Sequence, residues 1–182
     1  MAAPASRPPI EVTVEIPSGS RNKYEFDHRQ QRFVLDRVLF ASVHYPCDYG
    51  YVDGSLADDG DPLDVLVVIS EPTFPGCVLR ARPIGVLDMS DDKGLDYKVL
   101  AVAHDDPRWE KTSSLGDLPP HWLREIENFF STYKDLEGRE TTVRGWLETD
   151  DAWRIVDEAM EAGERRARSA PEAGDQPPGT WR

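Results

Sequence analysis

Short segments in which apolar and polar residues alternate fill the first half of the chain. Residues 10–16 alternate strictly, which predicts a strand with one buried face. Residues 22–27 and 32–37 flank a polar turn and predict a hairpin, and the aliphatic residues of 63–70 predict a buried strand. Three further strands are expected at 77–82, 84–89 and 96–103.

The second half of the chain changes to a helical period. Apolar residues recur at helical spacing from Trp122 to Tyr133, after Asp117 and two prolines, and this predicts an amphipathic helix. Residues 142–147 predict one more strand, and a last helix is expected to follow a cap near Thr149. Many short strands followed by two helices indicate an α+β domain with a closed or highly curved antiparallel sheet.

The apolar pattern is confined to residues 10–163, which we interpret as one domain. Residues 1–9 are small and rich in proline, and residues 164–182 lack an apolar stripe. We therefore expect a disordered N-terminal arm and a disordered C-terminal tail. On this interpretation, a chain of residues 8–164 folds and keeps the function of the domain, including the catalytic constants if that function is enzymatic.

Composition narrows the range of partners. The 34 acidic residues outnumber the 21 basic ones and give a net charge of −13, which argues against binding of nucleic acid or anionic lipid. An anionic substrate is still compatible, because bound cations can reverse the local charge. The longest aliphatic run is too short to cross a membrane, and two cysteines without ligand spacing predict free thiols in the cytoplasm.

Acidic residues concentrate in the middle of the chain. Between Val38 and Leu79 there are seven acids and no lysine or arginine, and four of the acids lie in residues 58–64. Aspartate oxygens on a tight loop shaped by glycine and proline suit a hard divalent cation such as Mg²⁺. A solvated acidic turn is the alternative, and composition alone does not separate the two interpretations.

Side chains that are suitable donors for phosphate oxygens accompany these acids. Asp96 and Lys98 are expected to share one face of a strand, as are Lys23 and Glu25. Such pairs would place a metal ligand beside an ammonium group that binds phosphate, although an exposed salt bridge is equally consistent with the spacing. Tyrosine hydroxyls are suitable donors as well, but a position in the core is the simpler interpretation for any one tyrosine here.

The segment Asp59-Gly60-Asp61-Pro62-Leu63-Asp64 resembles the Asp-Gly-Asp-Pro-x-Asp signature of the family I soluble inorganic pyrophosphatases, of the bacterial type. Other blocks resemble that family in the same order, so the resemblance covers about residues 10–160. These blocks are Glu15-Ile16-Pro17, Lys23-Tyr24-Glu25, Asp36-Arg37, Tyr45 to Tyr51, Arg82 to Gly85, Asp91 to Lys98 and Phe129 to Leu136.

The resemblance implies a fold, a reaction and a cofactor. The fold is an α+β domain with a five-stranded, OB-like closed antiparallel β-barrel and flanking α-helices. The reaction is hydrolysis of pyrophosphate to two orthophosphates by metal-activated water, without a covalent intermediate and with several Mg²⁺ ions. Bacterial members are commonly hexameric, so a homo-oligomer is expected.

The resemblance also implies roles for individual residues. Asp61 would be the general base that accepts a proton from the attacking water. The implied metal ligands are Glu25, Asp59, Asp64, Asp91 and Asp96. The implied substrate-binding residues are Lys23, Arg37, Tyr49, Lys98, Tyr133 and Lys134, and the supporting residues are Glu15, Tyr45 and Asp92.

Two positions depart from the family pattern. Asp92 stands where glutamate is common, and Ala103 stands where proline is frequent. One alternative is a non-catalytic OB-like binding domain, which would be expected to lack one of the carboxylates or lysines, whereas all are present. The other alternative is a metal-dependent phosphatase or nuclease that acts on a larger phosphate ester. It stays open because two-metal chemistry catalyses the hydrolysis of such esters as well as that of pyrophosphate.

Overall fold

The computed structural model describes residues 7–27, 29–92 and 94–169. These residues form nine strands: β1 Ile10–Ile16, β2 Asn22–Asp27, β3 Arg32–Val38, β4 Asp48–Val52, β5 Asp64–Val68, β6 Val78–Asp91, β7 Gly94–Leu95, β8 Lys98–Ala103 and β9 Thr142–Leu147. The same residues form two α-helices, α1 Pro120–Thr132 and α2 Thr149–Ser169. The α+β class is therefore as predicted.

The strands pair in a mixed sheet beside a separate hairpin. Pairing runs in the order β1, β4, β5, β8 and β6, and β6 also pairs with β1. β7 and β9 add to β6, and β2 pairs with β3 as the predicted hairpin. β5 and β8 are parallel, so the expectation of an antiparallel sheet is wrong for this pair. The chain returns through β6 before it enters β8, which lets β8 run in the same direction as β5.

Two strands were misjudged from sequence. The predicted strands at 77–82 and 84–89 are one strand, β6, because a shift in register between Pro83 and Gly85 accommodates the proline without ending the ladder. β4 was not predicted as a strand. Gly50 allows β4 to lie close to β1, since a Cβ atom there would come within 2.0 Å of the Thr13 carbonyl oxygen.

The core has two apolar clusters on opposite faces of the central strands. Along β5, Leu66 and Val68 join the cluster under α1, whereas Val65 and Val67 join the cluster under α2. A strand covered on both faces has a continuous aliphatic sequence, which explains why 63–70 shows no alternation. From α1 the first cluster receives Ile126, Phe129 and Phe130, and from α2 the second receives Ala152, Ile155, Val156 and Ala159.

Both predicted domain limits cut into ordered structure. α2 continues past the expected boundary at residue 163 as far as Ser169, and i,i+4 pairs such as Glu164 with Arg168 favour these extra turns. Arg7, in the predicted arm, pairs with Asp157 of α2 at 2.6 Å. Residues 1–6 and 170–182 lie outside the described residues. Among the helices described, none is long and apolar enough to span a membrane.

Candidate active site

A cleft of about 460 Å³ brings together residues from the hairpin, the central strands and the end of α1. It is polar, and charged side chains dominate its lining. The predicted site residues that line it are Glu15, Lys23, Glu25, Arg37, Tyr49, Asp59, Asp61, Asp64, Asp91, Asp96, Lys98, Tyr133 and Lys134.

One part of the cleft is a loop of residues 57–62, which we call the acidic loop. It is closed by backbone hydrogen bonds, from Ala57 N to Asp61 O at 2.8 Å and from Gly60 N to Ala57 O at 3.1 Å. The Asp61 amide also donates to Asp59 Oδ1 at 3.1 Å. Gly60 has a φ of +91°, which favours glycine at this turn. The loop therefore presents Asp59 and Asp61 side by side at the mouth of the cleft.

Deeper in the cleft, Lys98 at the start of β8 lies between Asp64 at the start of β5 and Asp96, which precedes β8 and is not part of a strand, contrary to the expected strand from residue 96. Lys98 is 3% exposed, and its ammonium group donates to both Asp64 and Asp96. Burial would lower the pKa of Lys98, but the charges of Asp64 and Asp96 outweigh burial and raise the pKa above its ordinary value. Lys98 is therefore a permanent cation inside the acidic part of the site.

Cations from three other positions face these acids, and each is held by a carboxylate. Lys23 on β2 donates to Glu25, and Lys134 donates to Asp91 at 2.8 Å. Arg37 on β3 donates through Nε to Glu137 at 2.9 Å. Glu137 is a nearly buried partner that the sequence interpretation missed, because it follows α1 in a 3₁₀ turn and no periodic pattern links it to β3.

Tyrosines supply neutral donors to the same cleft. Burial raises the pKa of both Tyr49 and Tyr133 well above the ordinary value, so both hydroxyls keep their protons at neutral pH. Glu15 is also shielded from solvent. Burial raises its pKa to about 7, against the opposing effect of a 3.0 Å hydrogen bond from the Phe26 amide.

Two predicted supporting residues do not line the cleft. Tyr45 is 2% exposed and packs in the core, with its ring centroid 5.3 Å from that of Tyr49 and 4.8 Å from that of Phe129. Tyr45 therefore supports Tyr49 by packing. Asp92 is exposed in the turn after β6 and lies outside the cleft lining.

Other residues of the cleft were not assigned a role from sequence. Tyr51 lies two positions after Tyr49 on β4, so the period of two could have placed it on the same face. Asp36 and Arg37 are adjacent, yet both line the cleft because a shift in register opposite Lys23 and Tyr24 interrupts the alternation of β3. Phe26, Pro62 and Arg139 complete the lining.

The acids of the cleft fit a hard divalent cation by their chemistry. All are carboxylates, the donor type that Mg²⁺ prefers. Burial raises the pKa of Asp96, and the charges of Asp64 and Asp91 add to this against the opposing effect of Lys98, so negative charge is crowded here. Among the described residues, no three potential ligands already converge on one point. A cation would share oxygens that Lys98 now contacts.

Carboxylates that face lysine, arginine and tyrosine donors across one cleft define a class of protein: metal-assisted enzymes that act on phosphate compounds. Comparison with known families identifies the member of this class. The family described as inorganic pyrophosphatase matches residues 12–164. The chain belongs to the inorganic pyrophosphatase family.

Individual relatives agree with this assignment. The chain is 53% identical to the inorganic pyrophosphatase of Nostoc over 153 residues, which cover 84% of this chain and 90% of the relative. It is 52% identical to the inorganic pyrophosphatase of Leifsonia xyli, over 80% of this chain and 90% of the relative. The crystal structure of the Thermus thermophilus inorganic pyrophosphatase superposes with a TM-score of 0.84 at 38% identity, covering 90% of this chain and 97% of that one.

Proposed function

We propose that this protein is a magnesium-dependent inorganic pyrophosphatase that hydrolyses pyrophosphate to two orthophosphates by direct attack of water. The observation that carries the proposal is the cleft itself, in which acids suited to cations face Lys23, Arg37 and Lys134. Pyrophosphate is small and highly charged, so a site must neutralise it before a nucleophile can approach. The family to which the chain belongs supports the same reaction.

Two groups of residues divide the work of this reaction. Glu25, Asp59, Asp64, Asp91 and Asp96 would hold the Mg²⁺ ions, which neutralise substrate charge and lower the pKa of bound water. Asp61 accepts the proton of the attacking water. Its place in the exposed acidic loop supports this role, because a base must be reached by water.

Substrate binding falls to the cations and tyrosines. Lys23, Arg37 and Lys134 donate to phosphoryl oxygens after exchanging their present carboxylate partners, and Lys98 donates from the floor of the cleft. Tyr49 and Tyr133 add neutral hydroxyl donors. Positioning and charge stabilisation dominate phosphoryl transfer, so no covalent nucleophile is required.

The proposal also covers the form of the sheet, the oligomeric state and the cellular location. We infer that the cycle of pairings from β1 back to β6 is a five-stranded, OB-like barrel, with one parallel pair. The family analogy supports a cytoplasmic homo-oligomer, with six subunits in bacterial members. Analytical ultracentrifugation of the full chain tests the subunit number, and a monomer would contradict it.

Phosphate release from four substrates tests the proposed function. Pyrophosphate is compared with ATP, p-nitrophenyl phosphate and oligonucleotides, each with Mg²⁺ and each with excess chelator. The expected result is rapid release from pyrophosphate alone, lost with chelator. Faster release from an ester or an oligonucleotide would indicate a phosphatase or nuclease, and release from none would favour the binding domain.

A further inference from the structure

The last turns of α2 lie against the chain that leads into the acidic loop. The Leu56 amide donates to the Ala159 carbonyl oxygen at 2.9 Å. One turn later in α2, Gly163 lies so close to the backbone of Gly54 that a Cβ atom at position 163 would come within 1.9 Å of the Gly54 carbonyl oxygen. Arg166 Nη1 then donates to the Gly60 carbonyl oxygen at 3.1 Å. Positions 159, 163 and 166 share one helix face, so these contacts form a continuous strip along α2.

The Arg166 contact falls at the centre of the acidic loop. Gly60 lies between Asp59 and Asp61, and backbone hydrogen bonds at Ala57 close the loop on itself. The position of the Gly60 carbonyl therefore fixes the backbone from which the side chains of Asp59 and Asp61 project. Asp64, by contrast, is held on β5 by strand pairing with Tyr51.

Between the loop and the helix there is open space, which makes the Arg166 contact distinctive. A cavity of about 210 Å³ has Asp58, Asp59 and Pro62 on one side and Ala162 and Arg165 on the other. The arginine reaches the carbonyl beyond this gap. A guanidinium group is always charged, but this contact is exposed to solvent, so its strength is that of an ordinary single hydrogen bond.

We propose that Arg166 is a positioning residue for the reaction, which holds the Gly60 carbonyl and so fixes the direction of Asp59 and Asp61 relative to the strand-borne acids. The inference rests on the proposed function, since that function gives Asp61 its chemical role. It also revises an expectation: a chain that ends at residue 164 lacks Arg166 and no longer keeps its catalytic constants.

Substitutions in the full-length chain test the proposal. Arg166→Ala removes the contact, Arg166→Lys keeps a charged donor, and Arg168→Ala removes the same charge from the same helical turn, where Arg168 pairs with Glu164 at 3.3 Å. Arg166→Ala is expected to lower kcat about 2- to 10-fold, the range of one hydrogen bond, and to raise the Mg²⁺ concentration for half-maximal activity. KM for pyrophosphate stays unchanged, because the phosphate-binding cations lie on other elements. Arg166→Lys recovers part of the loss, and Arg168→Ala matches the unsubstituted protein.

Hydrogen–deuterium exchange of the metal-free proteins gives a readout independent of activity. In Arg166→Ala, the peptide that contains residues 57–62 exchanges faster while the β5 peptide is unchanged, and Arg168→Ala shows neither change. Equal kcat and equal exchange in Arg166→Ala and Arg168→Ala would overturn the proposal. Faster exchange throughout α2 and the sheet would also overturn it, because Arg166 would then only stabilise the fold. If the unsubstituted protein releases no phosphate from pyrophosphate, the proposed function fails instead, and the exchange result still shows whether Arg166 holds the loop.

Discussion

Asp61 and Asp64 are three residues apart, yet they belong to different kinds of structure. Asp64 is the first residue of β5, where it pairs with buried Lys98. Asp61 lies in the exposed acidic loop, which is held by its own backbone and by Arg166. A single short motif thus supplies a fixed carboxylate on a strand and a water-accessible carboxylate on a loop. The difference teaches that one motif can place neighbouring acids in unlike surroundings, and under the proposed function Asp64 holds a cation whereas Asp61 accepts a proton.

The largest expected effect is a loss of kcat on substitution of Asp61 in the acidic loop. Asparagine at position 61 keeps the size of the side chain but cannot accept a proton at neutral pH. Base catalysis contributes about 10²- to 10⁴-fold, so Asp61→Asn should lower kcat on that scale. The matched control is Asp58→Asn, in the same exposed segment but outside the lining of the cleft. Equal losses of kcat in the two variants would mean that Asp61 has no special role.

On the strand side, the strongest expected effect is on stability. Lys98→Met leaves Asp64 and Asp96 crowded without their cation, and breaking a buried ion pair costs about 3–5 kcal/mol. Lys23→Met should cost at most about 1 kcal/mol, because its partner Glu25 is largely exposed. Urea unfolding of the metal-free variants measures both values. Similar losses would show that the strand-borne cluster is no more tightly coupled than the hairpin.

A smaller effect is expected from Glu15 on β1, whose contribution to the free energy of unfolding depends on pH. Because the folded protein raises the pKa of Glu15 to about 7 from 4.5, the unfolded chain releases this proton first as pH rises. Glu15 therefore costs stability progressively between these two pH values, up to about 3 kcal/mol. In metal-free protein, Glu15→Gln should remove this loss.

The control for that experiment is Glu11→Gln, on an exposed position of the same strand. Unfolding free energies are measured from pH 4 to 8 for the three proteins. The unfolding free energy of Glu15→Gln should rise relative to that of the unsubstituted protein as pH increases. The unfolding free energy of Glu11→Gln should follow that of the unsubstituted protein. Parallel curves for all three would contradict the raised pKa.

Periodicity predicted the elements whose side chains face one environment. β1 alternates because Val12, Val14 and Ile16 are fully buried while Glu11 is exposed and Glu15 lines the cleft, and α1 buries one apolar stripe, so both were predicted. The length of α2 was missed because residues 164–169 carry no apolar stripe. The close packing of Gly163 against Gly54 is visible only in the folded structure. The continuity of β6 through Pro83 was missed in the same way, since tertiary pairing outweighed local preference.

The residues of the site also differ in whether sequence alone could identify them. The resemblance supplied residues that lie far apart in sequence, and the fold brings thirteen of them to one cleft. Tyr51 follows Tyr49 by two residues, and recognition of β4 as a strand would have placed both on one face. The contacts of Asp36, Glu137 and Arg166 could not be predicted from local sequence, because each depends on tertiary structure: a bulge, a 3₁₀ turn and a helix that crosses to a distant loop. Residues that hold other residues are thus the hardest to find from sequence.

Activity against Mg²⁺ concentration in Asp61→Asn and Asp64→Asn tests the division between loop and strand most directly. Asp64→Asn should need more Mg²⁺ and recover part of its activity when Mg²⁺ is raised, because a lost ligand weakens cation binding. Asp61→Asn should saturate at nearly the same Mg²⁺ concentration as the unsubstituted protein and stay slow, because the proposed ligands Asp59, Asp64 and Asp96 still line the cleft. If raising Mg²⁺ rescues Asp61→Asn and leaves Asp64→Asn inactive, the two roles are reversed and the account is wrong.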